Sequence, residues 1–305
     1  MFVSPQVSVI IITRNRPAIL EDCLKHLERQ REDGIEFETI VVDSSDTEET
    51  QQVLRTHFEI KKARIPGGRD NMPEARNRGM ELARGAIYAF IDDDCFVQPG
   101  WLRLLAAHYQ DASVGGVGGR LRDDRIPPEA SYEIVGRIDP DGRVHLNFQR
   151  DTGKAVEVDH LPGGNMSFRA GILRKIGGFD TLYGGPNFME ETDLCVRVRA
   201  AGYRLIFEPA AVVNHVNAPR EGMTRSNDDP RVVYWSIRNR SYFTLKNFPL
   251  VWERFRHVFL GSVKLHGALV LERPEWLRLR SMLLHIAGLL SGIVVYAYAR
   301  ISSGE

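Results

Sequence analysis

The chain has 305 residues, of which 43% are hydrophobic, and its 40 Lys and Arg residues balance its 40 Asp and Glu residues. This hydrophobic share is ordinary for a globular protein with a core, and zero net charge gives no general reason to expect nucleic-acid binding. The cysteines, Cys23, Cys95 and Cys195, show no CxxC spacing, which disfavours a disulfide framework or zinc knuckle and favours a reducing cytoplasm. The first residues lack the basic and small-residue features of a signal peptide.

The N-terminal half of the chain alternates strand and helix patterns. Apolar, β-branched runs predict strands at 7–13, 37–45 and 86–94. Periodic apolar positions predict helices at 16–30, 46–58 and 73–85. Asp46 or Thr47 is the predicted N-cap of the second helix, and Pro73 suits the first turn of the third. This alternation predicts an open, mostly parallel sheet with helices on both faces.

Polar side chains close these three strands. They are Thr13, Asn15, Asp43, Ser44 and the aspartates at 92–94. In an open parallel sheet, ligands bind beyond the carboxyl ends of the strands. The pattern therefore predicts that these side chains gather along one edge, which is the candidate active site.

Asp92, Asp93 and Asp94 are three consecutive carboxylates that follow an apolar strand. Burying each of them without a partner would cost several kcal/mol. Oxygen donors at a strand end suit a hard divalent cation such as Mg2+ or Mn2+. A solvated acidic turn is the simpler explanation for so short a motif, and the three residues by themselves leave both explanations open.

From about residue 114 the pattern changes to shorter strands and turns. The glycine-rich run at 115–119 does not lie in a first strand-to-helix turn, so it indicates close packing or a bulge and not a dinucleotide-binding motif. A glycine-rich turn and short helix are expected within 160–180, a helix from 190, and a strand at 206–216. The chain after about residue 230 is predicted to be helical.

Three acidic residues, Glu190, Glu191 and Asp193, lie at the start of a predicted helix. Acidic side chains in a first turn favour the helix dipole, and Asp193 and Arg197 have the spacing of a helical ion pair, so a structural role explains them well. A carboxylate placed directly after a loop also suits a general base. His215 ends a predicted strand, where a hydrogen-bonded structural histidine is commoner than a metal ligand.

Five segments carry a resemblance to a known family. They are VSVIIITRNRP, TIVVDSSDTEET, PEARNRGMELARGAIYAFIDDDC, LPGGNMSFRAGILRKIGGFD and MEETDLCVRVRAAGYRLIFEPAAVVNH. In order and spacing they resemble the family 2 glycosyltransferases, inverting enzymes with the GT-A fold, over roughly residues 7–216. The resemblance implies an α/β, Rossmann-like GT-A fold with a mostly parallel open sheet, followed here by a helical C-terminal extension.

The resemblance also implies a role for individual residues. The implied donor-binding residues are Thr13, Asn15, Asp43, Arg76, Asp92 and Asp93. The implied ligands of a divalent cofactor, Mn2+ or Mg2+, are Asp92, Asp94 and His215. The implied acceptor-binding residues are Gly163, Gly164, Asn165, Glu190 and Asp193. Glu191 would be the catalytic base, although the family usually has Asp at that position.

The implied function is inverting transfer of a sugar from a nucleoside-diphosphate sugar to a hydroxyl of a glycan or lipid-linked acceptor. A divalent metal would assist departure of the nucleoside diphosphate. The family suggests a part in cell-envelope or exopolysaccharide synthesis, at the inner face of the cytoplasmic membrane, without a nucleic-acid partner. The alternative is a catalytically inactive sugar-nucleotide-binding or scaffold protein, which the filled catalytic positions disfavour.

The expected organisation is a catalytic domain at 1–228 and a helical region at 229–305. Within the former, the nucleotide-binding half is expected at about 1–112 and the acceptor-binding half at about 113–228. In the latter, residues 281–299 form a run of 19 residues without formal charge, close to the lower limit of about 17 for a spanning helix. Gly288 and Gly292 have GxxxG spacing within it. The alternatives to a membrane-spanning helix are peripheral membrane contact, packing onto the catalytic domain and homodimer formation.

Overall fold

The computed structural model describes residues 6–66, 72–123, 134–139, 143–185, 189–218, 229–248 and 275–303. The strands of this part are β1 (Val7–Thr13), β2 (Phe37–Asp43), β3 (Lys61–Arg64), β4 (Ile87–Asp92), β5 (Cys95–Val97), β6 (Val114–Arg122), β7 (Arg137–Ile138), β8 (Val144–His145), β9 (Val156–Val158), β10 (Met166–Arg169) and β11 (Arg204–His215). Its α-helices are α1 (Pro17–Glu28), α2 (Glu49–Thr56), α3 (Met72–Leu82), α4 (Trp101–Ala107), α5 (Ala170–Lys175), α6 (Glu190–Ala200), α7 (Pro230–Asn247) and α8 (Glu275–Ser303).

One mixed sheet organises the fold, in the strand order β3-β2-β1-β4-β10-β6-β11-β5, with β9 also pairing with β11. The strands β3, β2, β1 and β4 run parallel to one another, as do β6 and β11. β10 lies antiparallel between β4 and β6, and β5 and β9 lie antiparallel to β11. The predicted α/β class and mostly parallel sheet are confirmed, with antiparallel strands in the second half.

The sequence patterns located the long elements and missed four short strands, β3, β5, β9 and β10, of which β9 has three residues. β1, β2 and β4 lie where the apolar runs predict them, and α3 begins with Pro73 in its first turn. β3 is a charged edge strand, and β5 and β10 have three and four residues, too few for a periodic signal. The predicted N-cap of α2 is wrong, because its N-cap is Glu48 and no side chain caps it.

The two faces of the sheet bury separate cores. Along β1, Val7, Val9 and Ile11 face a core shared with α1, α2 and α4, whereas Ile10 and Ile12 face a core shared with α3, α5 and α6. This alternation follows from the two-residue period of a strand. Because β1 is buried on both faces, the polar residues that follow it are fixed at the edge of the sheet.

The glycine run in β6 allows close packing of neighbouring strands. A side-chain carbon at Gly119 would lie 1.9 Å from Ala211 O in β11, and one at Gly116 would lie 2.6 Å from Phe168 in β10. The packing role expected for residues 115–119 is therefore confirmed.

The C-terminal helices α7 and α8 pack against each other. Gly288 and Gly292 lie against α7: a side-chain carbon at Gly292 would come within 2.8 Å of Arg238 O and 2.6 Å of Ser241 Cβ. The GxxxG spacing thus serves a contact within the chain. In the described residues, one stretch, Leu283–Ser303, is long and apolar enough to cross a membrane, and 17% of its apolar window is buried. The expected boundary at residue 228 lies outside the described residues.

Gly119→Ala is expected to lower the free energy of unfolding by roughly 3 kcal/mol, because the added methyl group meets a backbone carbonyl and forces two strands apart. Urea unfolding measures the change. Gly171→Ala, in α5, is the matched control, since no atom lies within 4 Å of its added carbon. Equal stability of the two variants would contradict the close approach of β6 and β11.

Candidate active site

The carboxyl ends of β1, β2 and β4 lie together at one edge of the sheet, as the sequence pattern predicts. The parallel register sets Thr13 opposite Asp43 and Ile12 opposite Asp92. The Thr13 hydroxyl donates to Asp93 Oδ2 at 2.7 Å. The residues expected to form the donor side of the site are therefore neighbours in space.

The loops after β1 and β2 are joined by Asn15 and Asp46. Asn15 has a positive φ of 51°, its side-chain nitrogen donates to Asp46 Oδ2 at 3.1 Å, and its Oδ1 accepts from the Asp46 backbone nitrogen at 2.9 Å. Asp43 is buried and holds its own loop: Oδ1 accepts from the Ser45 backbone nitrogen at 2.9 Å and Oδ2 accepts from Gln51. Both Asp43 oxygens thus have partners within the chain.

Asp93 and Asp94 share one cationic partner, Arg16, a residue that the sequence reasoning did not select. Arg16 donates from Nε to Asp93 Oδ2 at 3.1 Å and from Nη2 to Asp93 Oδ1, which makes a two-pronged contact. Its Nη1 donates to Asp94 Oδ2 at 3.0 Å and to Ala218 O at 3.2 Å. Burial raises the pKa of Asp93 to about 7, against the opposing effect of Arg16.

Arg76 supplies the second cation. Its Nη2 donates to Asp92 Oδ1 at 3.2 Å and its Nη1 donates to Glu190 Oε1 at 3.1 Å. All three aspartates are buried, so the solvated-turn explanation of this motif is wrong. Two arginines from separate elements, α3 and the start of α1, provide the compensating charge.

Asp94 faces His215 because β5 pairs with the end of β11. In that ladder His215 lies opposite Cys95, and the Val216 backbone nitrogen donates to Asp94 O at 3.0 Å. As a result His215 Nε2 lies 3.4 Å from Asp94 Oδ1. The potential ligand atoms of Asp94, Cys95 and His215 lie within 4.8 Å of one another.

This group fits a divalent cation through its oxygen and imidazole donors. Burial, with the nearby Asp92 and Asp94, raises the pKa of the Cys95 thiol well above its usual value. Sulfur is also a soft donor, which suits Mg2+ or Mn2+ less well than oxygen does. Asp92, the third ligand that the resemblance implies, is not in the group, and its Oδ1 accepts from Arg76.

Glu190 and Glu191 form a carboxyl pair at the start of α6. Burial and the neighbouring Glu191 raise the pKa of Glu190 well above its usual value, against the opposing effect of Arg76. The raised pKa favours the protonated form of Glu190. The Oε2 atoms of Glu190 and Glu191 are both buried and have no hydrogen-bond partner among the described residues.

The segment at 163–164 lies over these carboxylates. A side-chain carbon at Gly163 would lie 3.6 Å from both Arg76 Nη2 and Glu191 Cδ, which is ordinary van der Waals contact. One at Gly164 would lie 2.8 Å from Cys95 Sγ, so the backbone there packs closely against β5.

Asn165 fixes that segment from within the protein. Its Nδ2 donates to Arg120 O at 3.1 Å and to Ala211 O at 2.9 Å, and its Oδ1 accepts from Trp101 Nε1 at 2.8 Å. Because the residue is completely buried, the structure gives its side chain a supporting role.

Asp193 points away from the aspartate cluster and towards α7. Its oxygens accept from Arg197 Nε at 2.8 Å, Lys246 Nζ at 2.9 Å, Asn247 Nδ2 at 2.8 Å and the Tyr183 hydroxyl at 3.2 Å. The helical ion pair expected with Arg197 is confirmed. This group of residues, here called the α6–α7 clasp, holds the helix that carries Glu190 and Glu191.

Lys246 extends the clasp to a second carboxylate. It donates to Asp180 Oδ2 at 2.7 Å, and the Tyr242 hydroxyl donates to the same oxygen at 2.8 Å. Burial would raise the pKa of Asp180, but the charge and hydrogen bonds of Lys246 outweigh that effect and hold the pKa below its usual value.

A family model and several known proteins match this chain. The family model described as glycosyl transferase family 2 matches residues 8–177. A pre-mycofactocin glycosyltransferase of Mycobacterium tuberculosis is 30% identical over 215 residues, or 68% of this chain. The chain belongs to glycosyltransferase family 2.

Two curated family 2 relatives differ in how much of their length the chain spans. It covers 42% of the Mycobacterium tuberculosis protein. A glucosyl-dolichyl phosphate glucuronosyltransferase of Haloferax volcanii is 27% identical over 226 residues, which are 69% of each protein.

Solved structures show the same fold. Staphylococcus aureus TarS, solved in complex with UDP-GlcNAc, has a TM-score of 0.65 at 17% identity, covering 95% of this chain and 81% of that one. The mannosyltransferase PcManGT of Pyrobaculum calidifontis, solved with GDP-Man and Mn2+, has a TM-score of 0.60 at 18% identity, covering 98% and 89%. The predicted GT-A fold of this family 2 chain is confirmed.

Lys246→Met should destabilise this family 2 chain by about 2 kcal/mol, because it leaves the carboxylates of Asp180 and Asp193 without their shared cation. The loss of stability in Lys246→Met should be greatest at neutral pH. A carboxyl whose folded pKa is lowered contributes stability above its unfolded pKa, and this contribution disappears as the pH falls through the folded pKa.

Thermal unfolding across pH 3–7 measures this effect, with Lys25→Met as the control. Lys25 pairs with Asp22 on the surface of α1, and both side chains are more than half exposed, so the control should leave stability almost unchanged. A pH-independent loss in Lys246→Met would show that packing, and not charge, holds the clasp.

Proposed function

We propose that the chain is an inverting glycosyltransferase that moves a sugar from a nucleoside-diphosphate sugar to an acceptor hydroxyl. The observation that carries this proposal is the Glu190–Glu191 pair, in which a buried Glu191 oxygen has no hydrogen-bond partner among the described residues and Gly163 lies against the Glu191 carboxyl group. An unsatisfied buried carboxylate is costly and is characteristic of functional sites. The names of the relatives support transfer of sugars.

Glu191 is the proposed general base. Its carboxylate takes the proton of the acceptor hydroxyl, and the acceptor oxygen attacks the anomeric carbon opposite the leaving diphosphate, which inverts the configuration there. Arg76 holds Glu190 at 3.1 Å and Asp92 at 3.2 Å, so one guanidinium fixes the base end of the site relative to the aspartates. Gly163 is proposed to face the acceptor beside Glu191, while Gly164, Asn165 and Asp193 position the elements around it.

The donor side is proposed to comprise the strand-end residues Thr13, Asn15, Asp43 and the aspartates at 92–94. Asp94 and His215, with Asp92 beside them, would hold a divalent cation, because carboxylate oxygens and an imidazole nitrogen are suitable donors for Mn2+. When bound, such a cation supplies Lewis-acid stabilisation of the departing diphosphate. The solved structures of PcManGT with Mn2+ and of GalNAc-T7 with UDP and Mn2+ support a divalent metal in proteins of this fold.

A membrane location is proposed from α8. Its side facing α7 is occupied, and its other side exposes large apolar side chains, which are Leu283, Ile286, Leu290, Ile293, Val294, Tyr298 and Ile301. Such a stripe suits peripheral contact with the cytoplasmic face of a membrane, where a lipid-linked acceptor of cell-envelope synthesis would be found. The relative named for glucosyl-dolichyl phosphate supports an acceptor of that class.

Glu191→Gln should reduce transfer by at least about a thousandfold while leaving donor binding unchanged, because the amide keeps the shape of the side chain and cannot take a proton. Calorimetric titration with UDP, GDP and dTDP, with and without Mn2+, measures donor binding, and release of nucleoside diphosphate from its sugar donor measures transfer. Glu157→Gln, at an exposed position, is the control. Metal-dependent nucleotide binding without transfer in the wild-type chain would favour the inactive-binding-protein alternative, and full activity of Glu191→Gln would remove Glu191 as the base.

The paired substitution Leu290→Glu and Val294→Glu is expected to abolish co-sedimentation with vesicles of phosphatidylethanolamine and phosphatidylglycerol, because two charges would enter the apolar stripe of α8. Phe58→Glu, which changes an exposed apolar side chain far along the sequence from α8, is the control and should sediment like the wild type. A wild-type dimer that the paired substitution converts to a monomer, without vesicle binding by either, would instead make this face a dimer interface.

A further inference from the structure

Arg16 is a largely buried cation next to the proposed metal site. It follows the loop after β1 and is the N-cap residue of α1, and its side chain is 10% exposed. The guanidinium lies between two consecutive aspartates: one side makes the two-pronged contact with Asp93, and Nη1 reaches Asp94 Oδ2 at 3.0 Å. Arg16 is thus a fixed positive charge within the carboxylate cluster.

Asp94 lies between this guanidinium and the imidazole that is proposed as a metal ligand. Its Oδ2 accepts from Arg16, and its Oδ1 lies 3.4 Å from His215 Nε2. A divalent cation held by Asp94 and His215 would bring a charge of +2 close to the Arg16 guanidinium, because that guanidinium is hydrogen-bonded to the same Asp94 carboxylate. Repulsion between such close charges is strong inside a protein.

We propose that Arg16 is an internal competitor of the metal, and that metal binding requires its guanidinium to release Asp94 while keeping Asp93. This inference rests on the metal site of the proposed function. Arg16 is not one of the implied metal ligands. The inference predicts that Arg16 lowers the affinity of the site for a metal ion when no nucleotide is bound.

The released Nη1 needs a new acceptor, since its remaining partner would be Ala218 O. The diphosphate of a donor supplies anionic oxygens that a guanidinium binds well. Metal and nucleoside diphosphate should therefore strengthen each other's binding, because the diphosphate takes the group that the metal displaces. By linkage, the two ligands must change each other's affinity by the same factor.

The test measures Mn2+ binding to the full chain by the electron paramagnetic resonance signal of free Mn2+, first without nucleotide. Arg16→Gln is expected to bind Mn2+ about tenfold more tightly than the wild type, because the competing charge on Asp94 is gone. Arg14→Gln is the matched control: it removes the same charge two residues away, from a side chain that pairs with Asp46, and should change the affinity less than about twofold.

Two further measurements test whether Mn2+ binds at Asp94 and whether Mn2+ and nucleotide binding are coupled through Arg16. Adding Asp94→Asn to Arg16→Gln should cancel the gain in Mn2+ affinity. With UDP or GDP present, the factor by which nucleotide tightens Mn2+ binding should be about tenfold smaller in Arg16→Gln than in the wild type. If Arg16→Gln fails to fold, Arg16→Lys carries the test, because a lysine cannot contact Asp93 and Asp94 in the same forked way and should raise the affinity at least about threefold.

Unchanged or weaker Mn2+ binding by the Arg16 variants would overturn the inference. If the wild type nevertheless binds Mn2+ together with UDP or GDP, the proposed function stands without it. If neither protein binds Mn2+ with any of the nucleotides, the metal-assisted part of the proposed function fails as well.

Discussion

Three consecutive carboxylates are buried at the end of a central strand, and such an arrangement is stable only with cations in contact with them. Arg16 and Arg76 meet this need from opposite directions, one from the start of α1 and one from α3. The same ion pairs tie β4 to both helices. The charged residues of the site therefore also stabilise the fold, because their ion pairs join the elements around them.

Arg76 also extends this network to the other half of the molecule. It contacts Asp92 at the end of β4, Glu190 at the start of α6 and Gly163 O in the glycine segment. These elements lie far apart in the sequence, and the guanidinium brings the aspartates, the carboxyl pair and the proposed acceptor space into one rigid arrangement. Catalysis by a base needs this kind of fixed geometry more than it needs any single strong contact.

The sequence predicts what depends on local pattern and misses what depends on distant partners. Apolar runs in the sequence predict β1, β2 and β4. The parallel arrangement of these strands brings Thr13 next to Asp93. Arg16 gives no such signal, because an arginine in a polar loop normally faces solvent and its partners lie 77 and 78 residues away. β5 is similar: three residues carry no periodicity, yet its pairing with β11 brings His215 to Asp94.

The α6–α7 clasp has a consequence for how the chain can be divided. Lys246 and Asn247, near the end of α7, supply partners to Asp193 on the helix that bears the proposed base. A fragment ending near residue 228 would lose these partners: Asp180 would lose its cation, and Asp193 would keep only Arg197 and Tyr183 of its described partners. We therefore expect the smallest unit that folds correctly to extend at least through α7.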